Sequence, residues 1–200
     1  GFEVRNPTIA YHEGQELDLG DTHLRLMYWG DGTHHSSIFV YVVEDKMLVG
    51  MGMGGGRWIP GFVDHDKPSL EDFRRAISIY ERLCDENFPI DVMIGIHKPD
   101  LHRSRQGFQQ SGLYFQTLLD DLTQAQQDGL SLEQAKAEFS LNRRHAYFCR
   151  NFTLPEPERR EKKHQESIDT IWELLHKEEL SARVDGASNK QIGPERQTSP

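Results

Sequence analysis

Six apolar residues in succession, Ile38-Phe39-Val40-Tyr41-Val42-Val43, constrain this chain more than any other feature. The run is rich in β-branched and aromatic side chains and too short for a buried helix. It therefore predicts a strand buried on both faces. The rest of the chain is polar, with a mean hydropathy of -0.68, so such a run cannot be left in water. Glu44-Asp45-Lys46 follows as a polar turn, and Met47-Leu48-Val49 as the next strand, which ends in a glycine-rich stretch from Gly50 to Gly56.

Other elements are read around this pair. Glu16 to Leu19 leads through Gly20-Asp21, a hairpin turn, into Leu24, Leu26 and Tyr28, which alternate with His23, Arg25 and Met27 as in a half-buried strand. Ser69 is a good helix N-cap, with Pro68 before it and Glu71 and Asp72 in the first turn. Leu70, Phe73, Ile77, Tyr80 and Cys84 then share one helical face, until Phe88-Pro89 ends the segment. Ile90 to Ile96 is another buried strand. A helix through Phe115, Leu118, Leu119, Leu122 and Ala125 closes at Asp128-Gly129, and Ser131 to Gln134 matches a capping box. Leu154 to Pro157 reads as a linker. Ile168, Ile171, Trp172 and Leu175 stripe a last helix, and from about Ser181 the chain turns polar, as in a disordered tail. The predicted order is four strands, a helix, a strand and three helices, an α/β class. The expected units are 1–150 as the folded domain, 151–180 as linker and terminal amphipathic helix, and 181–200 as tail.

Composition excludes some functions. The 200 residues carry a formal net charge of -9, without the basic footprint of a nucleic-acid binder. No apolar run is long enough to cross a membrane. Gly1 opens directly in polar sequence with no visible targeting segment, which leaves the compartment undecided, as do the two cysteines, Cys84 and Cys149.

Ten histidines are many for this length. Those at 12, 23, 65, 102, 145, 164 and 176 are scattered and read as solvated or capping side chains. Two places differ. Thr33-His34-His35-Ser36 sits just before a buried strand, and His97 just after one. Loops bordering buried strands can bring imidazoles into a shared cleft, where neutral imidazole is a good zinc ligand. Two or three histidines fall short of a catalytic zinc site, which needs three protein ligands and an open position. The glycines from Gly50 to Gly56 are not a phosphate loop, since neither spacing nor a following Lys-Ser/Thr fits.

Together these segments resemble the metallo-β-lactamase superfamily. Gly30 to Met51 is similar to that family's middle region, where a His-Thr loop precedes a buried strand and a second strand ends in Gly-Asp. Asp91 to Pro99 resembles its late strand, which ends in Pro-Gly-His-Gly. Tyr114 to Lys136 resembles the C-terminal helices of its hydrolase-like members, so that the match spans about residues 8–140. The resemblance implies the second half of an αββα sandwich with extra C-terminal helices, and a metal-dependent hydrolase as the parent activity. It implies zinc held by His97 and, with a one-residue shift of the loop, His34; by strict count Thr33 takes that place. His35, Lys98 and Arg57 become substrate or supporting contacts for a small molecule. The front motif His-x-His-x-Asp-His is absent from this chain, and the bridging Asp falls on Met51, or on Gly52 with a gap. A thioether is a poor zinc ligand and glycine offers none. The expectation is a degenerate or incomplete site, in a chain inactive alone, with a non-catalytic binding protein as the alternative.

The family packs two sheets face to face, so one half would expose the inner face of its sheet: Ile38, Val40 and Val42, or their opposite-facing neighbours. At roughly 25 cal/mol per Å² an uncovered face of several hundred Å² costs on the order of 10 kcal/mol, as much as a domain's stability. The sequence therefore predicts a partner for that face, either an N-terminal half or a homo-oligomer mate.

Overall fold

A computed structural model describes residues 14–30, 38–50, 68–85, 87–95, 101–102, 105–151 and 157–189. The chain is α/β. Strands β1 (Gly14–Asp18), β2 (His23–Met27), β3 (Phe39–Val42) and β4 (Met47–Gly50) precede helix α1 (Leu70–Leu83). Then come β5 (Val92–Gly95), β6 (Leu101–His102) and helices α2 (Arg105–Gln127), α3 (Leu132–Glu138), α4 (Ala146–Asn151) and α5 (Pro157–Asn189). The six strands form one sheet in sequence order, antiparallel throughout except for the parallel pair β4–β5 on either side of α1.

Local chemistry explains the elements. In the β1–β2 turn the Asp18 carboxylate accepts from the Gly20 amide at 2.8 Å, and Gly20 takes φ 95°, a conformation that favours glycine. Ser69 caps α1 in a full capping box. Its hydroxyl accepts from the Asp72 amide at 3.1 Å, and the Asp72 carboxylate accepts from the Ser69 amide at 2.9 Å. Gly129, at φ 75°, ends α2 while the Leu130 amide bonds back to the Ala125 carbonyl at 2.9 Å.

The register divides the sheet into two unlike faces. Tyr41, Leu48 and Met93 are cross-strand neighbours on one face, as are Phe39 and Gly50. Phe39, Tyr41, Leu48 and Met93 are at most 3% exposed and join Phe73, Ile77 and Tyr80 of α1 and Phe115 of α2 in the core. The other face carries two apolar rows: Leu17, Leu24, Val42, Met47 and Val92, then Leu26, Val40, Val49 and Ile94. All nine are half-buried and none belongs to the core cluster or packs against it.

Three expectations change. The run 38–43 is not buried on both faces: only alternate residues of β3 enter the core, and Ile38 is 37% exposed. The helix at Phe115 begins at Arg105. Glycines at 107 and 112 obscure its start, but Gly112 is needed there, since a Cβ would lie 3.1 Å from Tyr80 Cβ on α1. Finally, α5 continues past Ser181 to Asn189. Good helix formers such as Glu178, Glu179 and Ala182 extend an established helix without an apolar face, because propagation is easy once nucleation is done. The structure adds β6 and α4, which the pattern did not reveal. Pro157 takes the first turn of α5, where its missing N–H costs nothing.

Candidate functional site

The sequence-derived site residues Thr33, His34, His35, Met51, Arg57, His97 and Lys98 all lie outside the described residues. The strand ends that flank them are described. Met27 pairs with Phe39, Phe39 with Gly50 and Gly50 with Gly95. The three segments in question therefore leave β2, β4 and β5, or enter β3 and β6, at one end of the sheet. With adjacent strands about 4.8 Å apart, Met27 and Gly95 are about 15 Å apart across that end. This is a span that side chains on facing loops can bridge.

The base of this end is well anchored. Trp29 packs on Phe39 with centroids 5.2 Å apart and edge-on to Phe88 at 5.9 Å, and the Arg82 guanidinium lies over its ring at 5.7 Å. Gly30 has φ 90° and rests on the Arg75 side chain, where a Cβ would come within 2.6 Å of Cδ. A Cβ on Gly50 would likewise lie 2.9 Å from the Phe39 ring. The first glycine of the glycine-rich stretch thus serves packing. The Tyr41 hydroxyl donates to the Pro89 carbonyl at 2.7 Å and so fixes the approach to β5.

Among the described residues no group of three or more His, Cys, Asp or Glu side chains is placed to hold a metal ion. The nearest approach to a polar cluster on the sheet is exposed. His23 bonds through its ring and its amide to Glu44, with Asp18 at 3.7 Å. These bonds hold the Glu44 carboxyl down to about 2 and raise His23. Cys84 is half-buried, which pushes its thiol up.

The sequence reading missed a second cluster among the helices. His145 is 2% exposed and His164 is fully buried, with ring centroids 5.2 Å apart. His145 Nε2 donates to Asp121 Oδ2 at 2.8 Å, while Arg144 donates to Asp121 Oδ1 at 2.7 Å. His164 Nε2 donates to the Phe139 carbonyl at 2.7 Å, which leaves Nδ1 to accept from the Tyr114 hydroxyl at 2.9 Å. His145 Nδ1 is buried without a hydrogen-bond partner among the described residues. Burial lowers both histidines, His164 to about 4, and raises Tyr114. One signal was available: His164 lies four residues before Ile168, on the apolar stripe of α5.

No protein-family model matches the chain, and no curated protein matches it in sequence. Solved structures do. The stereoselective inverting sec-alkylsulfatase Pisa1 from Pseudomonas sp. superposes with a TM-score of 0.56 at 13% identity, over 84% of this chain and 26% of that one. A double mutant of sec-alkylsulfatase PisA1 gives 0.50 at 14% identity, over 68% and 22%. A metallo-β-lactamase family protein from Thermus thermophilus gives 0.51 at 19% identity, over 74% and 47%. The chain spans less than half the length of each of these structures. Likeness at such identities speaks for fold alone. The six-stranded sheet with its helices is, in part, the α/β fold of the metallo-β-lactamase structures.

Proposed function

We propose that this chain is the helix-backed part of a metal-dependent hydrolase of the metallo-β-lactamase fold, and that a second layer completes both its sheet and its site. The supporting observation is that the strand ends flanking 31–37, 51–67 and 96–100 share one end of the sheet, beside an apolar face that no described helix covers. On this reading His97 and His34 are zinc ligands, and His35 and Thr33 support them. Lys98 and Arg57 meet an anionic group of a small-molecule substrate. Zinc would supply an activated water for attack on an ester-like or amide-like carbonyl or a phosphodiester. Two imidazoles leave at least one further ligand to be supplied. The covering layer, a further part of the parent protein or a second copy of this chain, is the natural source.

The test is zinc content by elemental analysis, with His97→Ala beside the native chain. About one zinc per chain, lost in the variant, supports the reading and justifies screening ester, thioester and lactam substrates. A second reading, a non-catalytic binding protein on the same fold, is favoured by Met51 at the position of the family's bridging Asp. No zinc uptake under zinc-replete conditions, with the covering layer supplied, would overturn the zinc reading and favour this one.

A further inference from the structure

We infer that the buried His145–His164 pair is an acid-sensitive latch, which holds α5 against α2 at neutral pH and releases it when the rings take up protons. The pair sits where three parts of the helical region meet. Tyr114 and Asp121 come from α2, the Phe139 carbonyl from the end of α3, and His164 with Ser167 from α5. His145 closes the turn before α4 and stacks on Phe139 at 5.5 Å.

Both rings are neutral in this arrangement, and the Tyr114 bond and the unpaired His145 Nδ1 depend on it. A proton on His145 Nδ1 would place a donor where none of the described residues offers an acceptor. A proton on His164 Nδ1 would turn a donor toward the Tyr114 hydroxyl, which now donates to that nitrogen. Two imidazolium rings 5.2 Å apart in the core would also repel. The charged groups facing the pair do not offset this. Asp121 and Glu161 favour a charged His145, but Arg144 opposes it and occupies one Asp121 oxygen, and burial outweighs them. For His164 burial again comes first, and His145 adds to it against the Phe139 carbonyl.

The sign follows from linkage. A histidine held below its ordinary value binds protons more readily once released. Closure is therefore complete above about 6.5 and is lost as pH falls toward about 4. His164 alone makes the opening constant rise about tenfold per pH unit through that window, and His145 steepens it.

Hydrogen exchange on the full 200-residue chain, corrected for intrinsic rates, reads this directly. Between pH 7 and 4.5, α5 should lose about a hundredfold of its protection relative to α1. The double substitution His145→Gln and His164→Gln keeps hydrogen-bonding groups at both positions without the titration, and should reduce the loss to under about threefold. Equal loss in the double variant would assign the effect to carboxylates and overturn the latch, as would α1 and α5 losing protection together. The native rings provide a check independent of any variant. If both titrate at or above about 6.5 by NMR in the folded chain, the latch is wrong.

Discussion

The two faces of the one sheet are both apolar across β3 to β5 and meet opposite fates. Phe39, Tyr41, Leu48 and Met93 are sealed beneath α1 and α2. Val40, Val42, Val49 and Ile94, their immediate neighbours in sequence, stay half-buried. The difference is one of volume and partner rather than polarity. Large aromatic, Leu and Met side chains fill the space under the helices, while the β-branched Val40, Val42, Val49 and Ile94 make a flatter surface suited to packing against another layer. Among the described residues no helix covers this face, and on the function proposed above it meets such a layer.

The contrast can be broken most severely from the sealed side. Phe39→Ala should cost about 3–5 kcal/mol in urea unfolding, because it opens a cavity beneath Trp29 and beside Gly50. Gly50→Ala should cost about 1–3 kcal/mol, through the Cβ forced to 2.9 Å from the Phe39 ring. A loss below about 0.5 kcal/mol would show that the ring yields freely. On the other face, Val40→Thr with Val49→Thr alters a directly paired position. It should cost only about 1 kcal/mol of the chain's own stability, yet markedly weaken self-association or capture of a covering layer in sedimentation velocity. Equal effects on stability from both faces would erase the distinction. The smallest effect belongs to the surface. The Arg74–Glu178 pair joins α1 to α5 at 2.9 Å with both side chains about half exposed, and Arg74→Ala should change stability by under about 1 kcal/mol.

Much of this was legible in the chain. The Ser69 N-cap and the Ser131 capping box appear as read, because capping chemistry is local and needs no tertiary partner. The apolar stripe of α5 was legible for the same reason, and Ile168 and Ile171 are fully buried. The start of α2 was not, because Gly112 answers to Tyr80 on another helix. The helical histidines were not either. Nothing in their spacing says that Asp121, Tyr114 and the Phe139 carbonyl, 24, 50 and 25 residues away, will meet them. Of the candidate site, the strand ends were legible and their alignment was not, since register is a property of pairs of strands.

From the chain alone come the order, strands first and amphipathic helices after, and the need of its strand run for burial, though not on both faces as read. Those are matters of periodicity and of how much apolar surface water will tolerate. Tertiary packing settles which side of the run the helices seal, and makes two scattered histidines neighbours in the core. Both depend on register and helix packing, which bring together residues that no local pattern connects.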